Sequence, residues 1–231
     1  MQVATEQGCL VADAVSVSYG TGANRVDALR GVSLAFKPGS FVALRGPSGS
    51  GKTSLLHCLG GLIPPTGGEV RWDGQTLSAF QLQRRDGRGA MAFAYLFQGG
   101  NLLPTFTAAE NVAFAAYVAG RLDRPDPLAT LDRVGLSHKG GALPDALSGG
   151  EQQRVALARA VAQGARVLLA DEPTGQLDSG TARSVLTLID DLRRENPQLI
   201  VVLATHDASV AERAGLVVEM ADGRAHLTGS A

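Results

Sequence analysis

A chain of 231 residues with 21 basic and 22 acidic side chains carries a formal net charge of -1. That leaves no electrostatic footprint for nucleic acid, and none is expected as a partner. The length is enough to bury a substantial core, as one large α/β domain or as a core with an inserted subdomain, and the composition excludes disorder. Cys9 and Cys58 fit no metal-ligand spacing and read as reduced thiols in a cytoplasmic protein. Residues 1–6 lack the basic start and apolar core of a secretory signal, and no stretch approaches the roughly eighteen apolar residues of a membrane span. Work at a membrane would require another polypeptide to hold the chain there.

In chain order, residues 11–19, 32–36 and 69–72 have the length and turn-bounded character of strands, and they predict a small antiparallel sheet. Residues 41–44 form a short apolar strand. The segment Gly46-Pro47-Ser48-Gly49-Ser50-Gly51-Lys52-Thr53-Ser54 follows, and then Leu55, Leu56 and Leu59 fall at helical spacing. Strand, glycine-rich loop and helix in that order fit a phosphate-binding loop and point to a nucleoside triphosphate. A triphosphate needs many N–H donors at close range, and only a glycine-rich turn wraps backbone around an anion without Cβ clashes. Lys52 then supplies a cation to the β- and γ-phosphates, and the Thr53 hydroxyl can ligate Mg²⁺.

Residues 92–97, 167–170 and 199–204 are three more apolar runs, so that four strands of a buried parallel sheet are predicted. Their carboxyl ends lead into the phosphate loop, Gln98, Asp171 with Glu172, and Thr205 with His206. In open α/β sheets ligands bind at those ends, so these polar residues are expected to converge. Between the second and third strands the pattern turns helical from 107 to about 162, with helices predicted at 109–119, 128–134 and 151–161.

Two adjacent carboxylates can divide labour. Asp171 is placed to hold Mg²⁺ through Thr53 and water, and Glu172 to orient or deprotonate an attacking water; as bare strand-end carboxylates they also read as caps of the next helix. Ser148 and Glu151 have the form of a capping box. Yet Gly149 and Gly150 in the first turn each cost about 1 kcal/mol relative to alanine. A bare helix N-terminus is an anion site.

The whole string Leu147-Ser148-Gly149-Gly150-Glu151-Gln152-Gln153-Arg154-Val155-Ala156-Leu157-Ala158-Arg159 resembles the signature motif of ATP-binding-cassette (ABC) ATPases, and the likeness in motif order covers essentially the full chain. The resemblance implies an α/β fold: a P-loop NTPase (RecA-like) core with a parallel sheet (38–67, 90–100 and 163–231), an N-terminal antiparallel β subdomain (10–37 and 68–77) and an inserted α-helical subdomain (101–162). It implies ATP and Mg²⁺, and a head-to-tail homodimer in which Ser148, Gly149 and Gly150 reach the γ-phosphate held by the other subunit's Lys52. By the same likeness Gln98 matches the glutamine loop that reaches Mg²⁺ and the water, His206 the switch histidine, and Asp178 the loop between the two sites. Alone, Gln98 and His206 read as ordinary strand-end residues and Tyr19 as a core tyrosine. In the family an aromatic residue at the position of Tyr19 stacks on adenine.

Within the family, residues 19–31, 59–62, 101–104 and 171–175 look like the lipoprotein-release and macrolide-exporter branch, whose members drive permeases with few membrane helices and a large extracytoplasmic domain. Gln176 stands where that branch usually has asparagine, and residues 83–91 depart from its usual approach to the glutamine loop. The branch implies a separately encoded integral membrane permease and a place on the cytoplasmic side of the membrane. It also contains a cell-division ATPase that regulates cell-wall hydrolases and exports nothing. Soluble ABC proteins of translation or DNA repair fit worse, because they carry two cassettes or long coiled-coil insertions.

Overall fold

The computed structural model describes residues 7–77, 93–121 and 123–228, so residues 83–91 and the N-terminal six lie outside it. The chain divides into two compact units, residues 1–83 with 200–231, and residues 84–199.

In the first unit, β1 (Leu10–Tyr19) pairs antiparallel with β2 (Val26–Phe36) on one side and β4 (Gly67–Trp72) on the other, and β5 (Gln75–Thr76) closes the sheet in the order β2-β1-β4-β5. Leu10, Val15, Val17, Leu29, Val32 and Phe36 form its buried face. β2 begins six residues before the predicted strand at 32–36, because its first half lacks apolar alternation. There the polar groups are satisfied laterally: Asp27 accepts from the Ser18 hydroxyl and from Arg25 Nε, both at 2.8 Å.

β3 (Phe41–Arg45) lies between β8 (Ile200–Thr205) and β9 (Leu216–Ala221), parallel to both, and β10 (Arg224–Leu227) pairs antiparallel with β9. Every residue of β8 is buried, as a strand covered on both faces must be. β9 and β10 are absent from the strands read in the sequence. Asp222 and Gly223, with φ of 48° and 74°, form the two-residue turn that joins them, and this Asp-Gly pair was the available signal. α1 (Lys52–Leu59) buries Leu55, Leu56, Cys58 and Leu59. Neither cysteine forms a disulfide and both are buried, and burial pushes the Cys58 thiol up to about 11.

In the second unit, β6 (Phe93–Leu96) and β7 (Val167–Asp171) are parallel neighbours. Between them in sequence come α2 (Ala108–Val118), α3 (Pro127–Asp132) and α4 (Gly149–Gln163), and after β7 comes α5 (Ser179–Glu195). Each start is chemically marked. Thr107 and Glu110 form a capping box on α2, Asp126 accepts from the amides of Leu128 and Ala129 ahead of Pro127 on α3, and Asp178 caps α5. α4 ends at Gly164 in the left-handed conformation. α5 buries Val185, Leu186 and Ile189 at helical spacing, and the sequence reading had not drawn it. No described helix is long and apolar enough to cross a membrane.

Candidate active site

The phosphate loop joins β3 to α1. At its end Gly51 has φ 102°, and a Cβ there would come 2.4 Å from the carbonyl oxygen of Ala28, so only glycine lets the loop lie on β2. Gly51 is also the N-cap of α1 and has no side chain to offer, which leaves the first amides of the helix without a side-chain cap. Lys52 is 6% exposed, and its ammonium donates to the carbonyls of Gly46 and Pro47 at 2.8 and 2.9 Å. It makes no ion pair among the described residues. A buried ammonium without an anion is unfavourable unless one arrives from outside. The buried Ser50 hydroxyl, with no partner among the described residues, points to the same conclusion. An anion seated in the loop would satisfy the uncapped amides, the ammonium and this hydroxyl together.

Tyr19, at the end of β1, is 45% exposed, with its hydroxyl 3.2 Å from that of Ser54 on α1. A ring held by its edge keeps a face open for stacking. Thr53 in the first turn of α1 and His206 after β8 are exposed. The described residues contain no cluster of three or more acidic, histidine or cysteine side chains able to hold a metal.

In the second unit Gln98 is exposed just beyond β6, followed by three left-handed residues, Gly99, Gly100 and Asn101. The segment after them is tied to α2 by buried Asn111. Its Oδ1 accepts from the Leu103 amide at 2.8 Å, and its Nδ2 donates to the carbonyls of Leu103, Phe106 and Thr107 at 3.2, 2.9 and 3.0 Å. No local pattern in the sequence marks Asn111 for this task. Asp171 closes β7, and Glu172 follows it with φ 43°, a left-handed backbone on a residue with a long side chain.

Ser148 and Glu151 make both bonds of the capping box. The Glu151 amide donates to Ser148 Oγ at 3.3 Å, and the Ser148 amide donates to Glu151 Oε2 at 2.8 Å. The Ser148 amide is the main cause that holds the Glu151 carboxyl below its ordinary value. The two glycines behind Ser148 differ. A Cβ on Gly149 would make an ordinary contact with Leu177, whereas one on Gly150 would sit 2.1 Å from Thr181 Cγ2. Thr181 cannot turn away easily, because its hydroxyl donates to Asp178 at 2.6 Å and its amide to the same carboxylate at 3.0 Å. Asp178 is thus engaged as the cap of α5, and these bonds lower its pKa.

The Gly150→Ala protein is therefore expected to lose stability. Overpacking of this kind costs about 1–3 kcal/mol, against about 1 kcal/mol gained in helix propensity. Thr181→Ser, which removes Cγ2 and keeps the hydroxyl, should restore the melting temperature in the double variant. Thermal unfolding without nucleotide checks both; equal melting temperatures for Gly150→Ala and wild type would dismiss the clash.

Comparison with known proteins gives a concordant result. A family model described as ABC transporter matches residues 29–175. The chain is 42% identical over 203 residues to the pyoverdine export ATP-binding/permease protein PvdT of Pseudomonas entomophila, covering 87% of this chain and 31% of that protein. It is 43% identical over 211 residues to the macrolide export ATP-binding/permease protein MacB of Aggregatibacter actinomycetemcomitans, covering 89% of this chain and 32% of that one. The chain thus spans about a third of the length of these relatives. Among solved structures, a dimeric post-hydrolysis state of the ATP-binding cassette MJ0796 bound to ADP and Pi aligns with a TM-score of 0.83 at 34% identity, over 94% of this chain and 96% of that one. The family match opens in β2 and runs past Glu172, taking in the phosphate loop, the glutamine turn and the capped start of α4: the chain belongs to the ABC transporter family.

Proposed function

We propose that this chain is the ATP-hydrolysing subunit of an export system of the macrolide-export and lipoprotein-release type. It forms a head-to-tail homodimer on two ATP molecules and drives a separately encoded permease from the cytoplasmic face of the membrane. The observation that carries the reading is the buried, unpaired Lys52 ammonium beside uncapped helix amides and the orphaned Ser50 hydroxyl. The likeness to a dimeric cassette supports the homodimer, and the names of the relatives support export. In this reading the antiparallel subdomain is 10–37 with 68–77, the core 38–67, 90–100 and 163–231, and the helical subdomain 101–162.

The roles follow from chemistry. Residues 46–54 bind the phosphates, and Tyr19 stacks on the base. Ser148, Gly149 and Gly150 present helix amides to the γ-phosphate of the facing subunit, and Asp178 orders the start of α5, whose Thr181 lies against Gly150. Glu172 accepts a proton from the attacking water, Gln98 orients that water, and His206 donates to the γ-phosphate. Thr53, Gln98 and Asp171 are the groups that would hold Mg²⁺, which supplies charge neutralisation on the phosphates.

The permease is expected to meet the helices of the second unit. Phe106, Phe114, Tyr117, Pro125 and Pro127 line an open apolar groove on α2 and α3, with Arg124 stacked 5.2 Å over the Tyr117 ring. Phe114 and Tyr117 are 41% and 61% exposed. Substitutions in residues 99–106, or Tyr117→Ala in the groove, should lower permease-stimulated turnover several-fold more than the basal rate. The assay uses the permease encoded beside this chain, after copurification has shown that the two associate. Equal losses in both rates would place the segment in the chemistry and remove it from docking.

A further inference from the structure

The turn that carries Gln98 is fixed at both ends by a single helix. Gly99, Gly100 and Asn101 have φ of 87°, 76° and 47°, three left-handed residues in succession. Ahead of them the Phe97 carbonyl accepts from the Gly100 amide at 3.1 Å and from Gln153 Nε2 at 2.9 Å. Behind them the Asn101 carbonyl accepts from Arg159 Nη1 at 2.9 Å. In the middle Gly100 lies against the backbone of Gln152, where a Cβ would meet the carbonyl oxygen at 3.1 Å. α4 therefore bonds the chain on both sides of Gln98, across sequence separations of 56 and 58 residues.

Packing alone does not call for these two side chains. Gln153 is 3% exposed, its bond to Phe97 is the one its amide makes, and its Oε1 has no partner among the described residues. Methionine would fill the same space and leave no acceptor unpaired. Arg159 is half-buried, desolvation lowers its pKa, and among the described residues no carboxylate pairs with it. Two polar groups are held in unfavourable surroundings, and each is aimed at one end of the same turn.

We infer that Gln153 and Arg159 are positioning residues for Gln98: through them α4 sets the direction in which the glutamine leaves the sheet. The turn and the Ser148 end of α4 then form one piece, so the glutamine is presented in a geometry fixed by the helix that opens on Ser148. This rests on the proposed role of Gln98 in hydrolysis.

The test is steady-state ATP hydrolysis by the purified full chain. Gln153→Met and Arg159→Met should each lower kcat about 10- to 100-fold, the scale for a misplaced reacting group, with KM for ATP and the melting temperature little changed. Arg159→Lys keeps a donor for the Asn101 carbonyl and should return most of the rate. In a Gln98→Ala background, Gln153→Met should cost nothing further, because residues that act as a unit are not additive. Full additional loss in that background, or Arg159→Lys as slow as Arg159→Met, overturns the inference while leaving the role of Gln98 standing. Wild-type turnover by Gln98→Ala itself overturns both. Each site tests the inference without the other, so a variant that does not fold leaves the second to decide.

Discussion

The Glu172→Gln protein is expected to bind Mg²⁺-ATP as the wild type does and then stop. Glutamine keeps the length and hydrogen-bonding capacity of glutamate but cannot accept a proton at neutral pH. It also tolerates the left-handed backbone at this position no worse, so the substitution brings no new strain at φ 43°. Hydrolysis is expected to fall by a factor on the order of 10² or more, the scale of a lost general base. With ATP uncleaved, the proposed bridge of the γ-phosphate from Lys52 of one protomer to the facing Ser148 should persist, and the variant should elute as a dimer in size-exclusion chromatography with saturating Mg²⁺-ATP. Asp171→Asn should differ by losing Mg²⁺ and the dimer together. Normal hydrolysis by Glu172→Gln, or a monomer under conditions where the wild type dimerises, would remove Glu172 from the chemistry.

Lys52→Ala is expected to abolish ATP-dependent dimerisation and hydrolysis. A charged hydrogen bond contributes about 1.5–3 kcal/mol, so the ammonium's contact alone corresponds to roughly 10- to 100-fold in ATP affinity, and its effect on the transferring phosphoryl group adds to that. The same geometry predicts a second result of opposite sign. Among the described residues the buried Lys52 ammonium bonds to two carbonyls and no carboxylate, so Lys52→Met removes a buried charge and should leave the nucleotide-free protein at least as heat-stable as wild type. The rise in melting temperature that ATP is expected to give the wild type should vanish. Near-normal turnover by Lys52→Ala would sink the phosphate-loop assignment without touching the fold.

How much of this could be read from the sequence depended on whether a feature is local. The four buried strands announce themselves as apolar runs: residues 41–44, 92–97, 167–170 and 199–204 became Phe41–Arg45, Phe93–Leu96, Val167–Asp171 and Ile200–Thr205. β3 and β8 run one residue further at their carboxyl ends because the polar Arg45 and Thr205 still pair with each other in the ladder, and residue 92 lies outside the described residues. The capping box at Ser148 is equally local, and both its bonds are present. β2 was seen only in part, since its first half is stabilised by Asp27, Ser18 and Arg25 and lacks a hydrophobic alternation. The glycines of the signature helix were read together as a bare anion site, yet Gly150 has a steric reason of its own in Thr181, which the sequence places 31 positions away and only the fold brings near. Gln153, Arg159 and Asn111 were invisible for the same reason. Their partners are backbone carbonyls and amides, which every residue has and no composition reveals.

Glu172 has one more implication, for anyone who would alter this enzyme. A left-handed backbone on a side chain of this kind costs roughly 1–2 kcal/mol, whereas asparagine and glycine adopt it with little or no penalty. A redesign scored only on backbone strain would therefore choose Asn or Gly at position 172. With the proposed general base gone, the less strained protein is expected to be inert. On the proposed role of Glu172, backbone relief and turnover pull against each other at this one peptide, so screens for heat-tolerant variants must be run on activity if they are to keep the carboxylate.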